Sequence, residues 1–257
     1  MEENIMKKSL LAMLVLLMVT GCANTGTTDN DALVIGVDDT FAPMGFRNEN
    51  NELVGFDIDL ARALAEKMKV EIEFQPIDWS MKETELNGGN IDLIWNGYTI
   101  TDKRKEQVAF SDTYLENSQI IVVLKDSDIQ TKADLAGRAV SLQKDSSALE
   151  AVLGEAELAA TFQGGAPTEF DTNIECFMDL EATRTDAIVC DEVFARYTIK
   201  QRGEEKYRVL EDDFGNEEYG IGVRKSDTEL LADLNEALRE ARTDGTYDAV
   251  YQTWFAE

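Results

Sequence analysis

Residues Asp92–Arg104, DLIWNGYTITDKR, constrain the chain more than any other stretch. They read as a buried strand (Leu93, Ile94, Trp95), a break at Asn96-Gly97 and a helix restarting at Thr101. Strand, short loop and helix N-terminus is the arrangement in which an α/β protein gathers ligands at the carboxyl end of a sheet. Gly97 allows close backbone approach, Thr99 and Thr101 bring hydroxyls, and Thr101 suits an N-cap. Arg104 carries a planar fork that fits a carboxylate bidentately, near the positive end of a helix. These residue types in this order predict a seat for a small anionic group. The competing reading is a surface arginine paired with an acidic neighbour.

The rest of the chain alternates in the same way. Leu33–Val37 reads as a strand ending in Asp38-Asp39, followed by an aromatic, turn-rich loop with Phe41, Pro43 and Phe46. Gly55–Lys69 has helical spacing, Val70–Phe74 alternates as a strand with Trp79 beyond it, and a short helix stops near Gly88-Gly89. A strand at Ile120–Leu124 follows a crossing segment, Tyr114–Ser118. A second series then runs through a helix (Thr131–Leu135), a strand (Ala139–Leu142), a polar loop (Gln143–Ser147), a helix from Ala148 and a strand near Thr161. It continues with a helix (Asn173–Thr183), a strand (Ala187–Val189) that runs into Cys190-Asp191, and a helix (Glu192–Gln201). Gly215–Tyr219 reads as a return crossing, Tyr219–Val223 as a strand, and Asp227–Arg242 and Thr246–Phe255 as amphipathic helices. Such alternation predicts two α/β units, each a mostly parallel sheet flanked by helices.

The 257 residues include 51 acidic and 24 basic ones, a formal charge of −27. That excess repels phosphates and argues against nucleic acid as a partner. The first 21 residues read as a targeting segment: Lys7 and Lys8, an apolar run from Leu10 to Val19, then small residues before Cys22. Glu2 and Glu3 are awkward in such a segment, so either Met1 or Met6 is the start. Residues 22–32 are small and polar and read as a flexible tether. Cys176 and Cys190 are expected as free buried thiols, with a disulfide as the alternative in an oxidising compartment.

Six motifs, in order, resemble the polar amino acid family of bacterial solute-binding proteins (family 3), which serve ATP-driven importers. They are VIGVDDTFAPMGF (Val34–Phe46), GFDIDLARALA (Gly55–Ala65), GYTITDKR (Gly97–Arg104), FSDTY (Phe110–Tyr114), TDAIVCDE (Thr185–Glu192) and DGTYDAVYQTWF (Asp244–Phe255). The resemblance implies a two-lobed, type II periplasmic-binding-protein-like fold whose lobes are joined by two hinge strands. Lobe 1 would comprise 33–115 and 218–257, and lobe 2 would comprise 116–217. VTGC resembles a lipobox, implying cleavage before Cys22, lipidation of that cysteine and an anchor on the extracytoplasmic face of the membrane. The implied partners are a free L-amino acid and a permease with its ATPase subunit. The protein is expected to be a monomer without cofactor, metal or catalytic residues.

The resemblance also implies roles within the site. Arg104 would take the ligand carboxylate, helped by backbone N–H groups near Thr99 and Ser147. Asp191 would take the ammonium, with Thr99 and the Gly97 carbonyl adding acceptors; from the residues alone, Asp191 serves equally as a helix N-cap. Phe41 and Trp79 would wall the ligand's aliphatic body, although isolated aromatics otherwise read as core. Asp38 would reach the ligand side chain, with Asp39 as its competitor and a turn-forming Asp as the alternative reading. Asn96, Gln143 with Asp145, and Cys190 depart from patterns common in the family, and Asn96 and Gln143 remain candidate contacts. These departures leave a basic amino acid, histidine or glutamine as the leading ligands. Two other functions on the same fold stay open: a periplasmic dehydratase, and a lipoprotein that presents its ligand to a separate sensor.

Overall fold

The computed structural model describes residues 32–256, so the targeting segment, Cys22 and the tether up to residue 31 lie outside the described residues. The chain enters in β1 (Leu33–Val37). A small antiparallel meander of β2 (Thr40–Phe41), β3 (Gly45–Arg47) and β4 (Leu53–Val54) follows, where the sequence pattern shows only an aromatic loop. In α1 (Phe56–Met68), Phe56, Ile58, Leu60, Ala61, Leu64 and Ala65 are buried, while Asp57 and Asp59 sit in the first turn, where the helix dipole favours negative charge. Next come β5 (Ile72–Pro76), α2 (Lys82–Gly88), β6 (Leu93–Ile94), α3 (Asp102–Lys105) and β7 (Ala109–Phe110).

β8 (Leu115–Leu124) leaves the first lobe, and the second is built from β9 (Val140–Gln143), α4 (Ser147–Gly154), α5 (Ala156–Ala159), β10 (Thr168–Phe170), α6 (Asn173–Glu181), β11 (Ala187–Asp191) and α7 (Glu192–Arg202). β12 (Tyr207–Tyr219) returns the chain to β13 (Gly222–Val223), α8 (Thr228–Asp244) and α9 (Thr246–Phe255). No helix among the described residues is long and apolar enough to cross a membrane.

Two five-stranded sheets result, in the orders β5-β1-β6-β13-β7 and β10-β9-β11-β8-β12. In each, four strands share one direction and a single strand, β13 in the first and β8 in the second, runs against them, so the sheets are mostly parallel in direction but mixed. The antiparallel members follow from the chain's crossing out and back. β8 and β12 are the joining strands, paired from Tyr207↔Leu124 to Tyr219↔Leu115 with irregularities near Asp213.

Several local expectations shift. β12 is far longer than the crossing predicted at Gly215–Tyr219, because EDDFGNEE has no apolar alternation to betray it. The strand expected near Thr161 is a turn, and the sheet strand is β10. Gly164 and Gly165, both at positive φ, break any extended run there. Lys132–Leu135 is a short 3-10 turn rather than a full helix, closed by a capping box between Thr131 and Asp134.

Candidate ligand-binding site

The candidate residues gather where the parallel strands of both sheets end. In the first lobe Asp38 directly follows β1, Asn96 and Gly97 follow β6, and Trp79 opens a 3-10 turn after β5. Gly97 takes φ 57°, and a Cβ there would stand 2.9 Å from the Phe41 ring and 3.2 Å from Tyr219. Its N–H donates to Asp57 Oδ2 at 2.7 Å, and Tyr114 donates to the same oxygen at 2.9 Å. The loop is therefore held from below by a buried carboxylate on α1. Two residues on, Thr99 bridges to Tyr219 at the end of β12.

Thr101 caps α3 as expected, accepting from the Arg104 N–H at 3.2 Å. The Arg104 side chain turns back from that helix. Nη1 donates to the Thr99 carbonyl at 2.9 Å, Nη2 reaches the Asp145 carbonyl at 3.4 Å, and the guanidinium lies 4.7 Å from the centre of the Tyr98 ring. Its nearest carboxylate is Glu83, 4.0 Å from Nε, which is too long for a hydrogen bond. A buried guanidinium is thus fixed in place by carbonyls and a ring, with donors to spare.

In the second lobe Gln143 closes β9, Ser146 caps α4 by accepting from Leu149, and Ser147 opens that helix. Asp191 ends β11 and stands at the N-cap position of α7, yet its side chain makes no cap bond. Oδ1 instead accepts from Tyr219 Oη at 2.6 Å and Asn117 Nδ2 at 2.7 Å. Burial, and after it the charge of Glu217, push this carboxyl up to about 7.

The lobes meet through these same residues. Gln143 Nε2 donates to Asp38 Oδ2 at 2.9 Å, Thr99 and Ser147 hydroxyls lie 3.0 Å apart, and Thr101 donates to Glu150 at 3.0 Å. Phe41 stacks on Phe194 of α7, ring centres 5.1 Å apart. Asp38 also accepts from the Thr40 N–H and hydroxyl, so it is a turn-forming aspartate and a cleft residue at once. Burial raises its pKa against the lowering pull of those hydrogen bonds. Asp39 is instead paired with Arg47 at 2.8 Å.

Trp79 packs edge-on against Tyr98 and belongs to a small apolar cluster with Leu86, Ile91 and Val108. Asn96 is buried against Gly45, and neither amide atom bonds to a described residue. Cys176 and Cys190 are both free and buried.

Seven residues of this neighbourhood were not legible beforehand: Lys82, Glu83, Tyr98, Asn117, Gln119, Glu217 and Tyr219. Lys82, 2% exposed, reaches across to the Asp145 carbonyl at 3.0 Å, and burial, then Arg104, lowers its pKa to about 8. Asn117 and Gln119 on β8, and Glu217 and Tyr219 on β12, alternate at the period of a strand whose polar face crosses the cleft. That alternation within ENSQ was the available signal.

The model for bacterial extracellular solute-binding proteins, family 3, matches residues 33–257. The lysine/arginine/ornithine-binding periplasmic protein of Escherichia coli (strain K12) is 32% identical over 97% of each chain. Among solved structures, an uptake-transporter substrate-binding protein from Streptococcus pneumoniae with bound histidine superposes at TM-score 0.86, with 39% identity over 89% of this chain and 94% of that one. An ancestral arginine-binding protein is 42% identical over 88% of this chain and 98% of its own; its arginine-bound and glutamine-bound forms superpose at 0.81 and 0.79. These neighbours share the type II periplasmic-binding-protein fold that the resemblance implied, and the chain belongs to the bacterial extracellular solute-binding proteins of family 3.

Proposed function

We propose that this chain captures a free L-amino acid outside the cytoplasm and delivers it to the permease of an ATP-driven importer, held to the membrane by lipid on Cys22. The observation that carries this reading is a pair of buried charges from opposite lobes, Arg104 and Asp191, neither hydrogen-bonded to an opposite charge among the described residues. Glu83 stands 4.0 Å from Arg104, beyond hydrogen-bond reach, and buried charges without a hydrogen-bonded partner of opposite sign are costly. A zwitterion supplies both at once, its carboxylate to Arg104 and its ammonium to Asp191. Because the two groups belong to different lobes, the ligand stabilises the closed form through contacts the open form lacks.

Asp38 sets the side-chain end. Its carboxylate favours an ammonium, guanidinium or imidazolium and disfavours glutamate or aspartate. A basic amino acid or histidine therefore stands ahead of glutamine. The family likeness to proteins described as binding lysine, arginine or histidine supports this order.

The test is a thermal-shift screen of the chain from Ala23 onward against the common amino acids and cystine, after unfolding and refolding to strip carried-over ligand. A ligand at ~100 times its dissociation constant adds roughly 2.7 kcal/mol of stability. A basic amino acid or histidine should give the largest shift, and Asp38→Asn should erase that preference. No shift from any amino acid on folded protein refutes the reading.

A further inference from the structure

The two joining strands do more than connect lobes. Strand register sets Gln119 of β8 directly opposite Asp191 of β11, and Glu217 of β12 directly opposite Asn117 of β8. Residues so paired have Cβ atoms about 4.5–5.5 Å apart, so their side chains converge. Asn117 Nδ2 is shared between Asp191 Oδ1 at 2.7 Å and Glu217 Oε2 at 3.2 Å. Glu217 Oε2 also accepts from Gln119 Nε2 at 2.9 Å, Thr99 Oγ1 at 3.0 Å and Ser147 Oγ at 3.3 Å. One carboxylate thus touches both lobes and the outgoing strand.

The Gln119 side chain is 0% exposed, and its Oε1 has no hydrogen-bond partner among the described residues. Its Nε2 faces Ser147 and Glu217, at 3.2 and 2.9 Å, which fixes the amide with the oxygen on the other edge. A buried acceptor without a donor costs about 1–3 kcal/mol and calls for a missing N–H. Neither Asp191 nor Glu217 forms a salt bridge with a lysine or arginine among the described residues. Asp191 and Glu217, bridged by Asn117, thus lack a salt-bridged cation, and the Gln119 amide oxygen beside them lacks a donor among the described residues.

We propose that Gln119 and Glu217 complete the ammonium seat of the site with Asp191, so that the ligand's α-ammonium is held partly by the strands that hinge the lobes. An ammonium has three N–H groups to place, and Asp191, the Gln119 amide oxygen and Glu217 are three acceptors from three neighbouring strands. Glu217 is also the donors' anchor: it orients Thr99 and Ser147 from opposite lobes. Charge at this position favours ligands with a free α-ammonium over those with the same side chain and carboxylate but no amine. The inference rests on the amino acid reading above.

The experiment compares each amino acid with its des-amino counterpart: L-arginine with 5-guanidinopentanoate, L-histidine with imidazolepropionate, and L-glutamine with glutaramate. Dissociation constants are measured by calorimetry, or by competition for the weak member, on wild type, Glu217→Gln and Gln119→Leu, with melting temperatures recorded for each. Loss of the ammonium contact should lower the ratio of the two constants about tenfold in Glu217→Gln, and lower it again in the same direction in Gln119→Leu. If these residues serve only to connect the lobes, both constants shift together and the ratio stays at the wild-type value, which overturns the proposal. Should Glu217→Gln fail to fold, Gln119→Leu alone decides by the same ratio. Wild type that binds no amino acid overturns the amino acid reading and this one together; binding with an unchanged ratio overturns this one alone.

Discussion

Asp57 offers a test of how the site loop is held. Its carboxyl is 1% exposed on the first turn of α1, where Oδ2 accepts from Gly97 and Tyr114 while Oδ1 has no partner among the described residues. Burial pushes its pKa from 3.8 up to about 7, and the two hydrogen bonds only partly oppose this. The folded protein therefore holds this proton more tightly than the unfolded chain does. Stability from the neutral carboxyl is fully present below the unfolded value near 3.8 and is lost as pH rises through about 7. A difference of about 3 pKa units corresponds to about 4 kcal/mol over the whole range, of which about 2.5 kcal/mol falls between pH 5 and pH 8. Asn in place of Asp57 keeps an acceptor oxygen for Gly97 but cannot ionise. Urea unfolding of wild type and Asp57→Asn at both pH values measures the double difference, in which the titration of distant groups cancels. The variant should gain about 2.5 kcal/mol on wild type as pH rises from 5 to 8. Parallel pH profiles for the two proteins would show that this carboxylate is not carrying a burial cost, and the account of the loop's support would be wrong.

Other outcomes follow from the same geometry. Gly97→Ala must place a Cβ in the left-handed region and against the Phe41 ring, so it should lose about 1–2 kcal/mol of stability in a thermal melt and weaken ligand binding as well. Arg104→Lys keeps the charge but loses the fork that spans Thr99, Asp145 and a ligand carboxylate; calorimetry should show amino acid affinity falling at least about tenfold, and an unchanged affinity would remove Arg104 from the carboxylate seat. Burial raises the Cys176 thiol to about 12 and Cys190 well above its ordinary value, so neither should react with a thiol reagent at pH 8 until the protein is unfolded. Rapid labelling of the native protein would contradict that burial.

Much of the molecule could be read from local pattern. DLIWNGYTITDKR announces its own strand, loop, cap and arginine, because each depends on residues within a turn or two of one another: Thr101 does cap α3, and the Gly97 backbone is closely approached, by the Phe41 ring. Helical spacing marks α1, α8 and α9 for the same reason. Sequence alone also determined the charge excess that argues against nucleic acid.

Only the tertiary structure decided what those residues face. Nothing local tells Asp191 to turn from the helix it heads toward Asn117 and Tyr219, or Gln143 to meet a carboxylate 105 positions away. The length of β12 was hidden because an acidic stretch with no apolar alternation becomes a strand only when β8 supplies its partners. Gln119 and Glu217 were unreadable as site residues for the same physical reason. Which side chains stand opposite one another depends on the register between strands distant in sequence, and that register is chosen by the packing of the whole sheet.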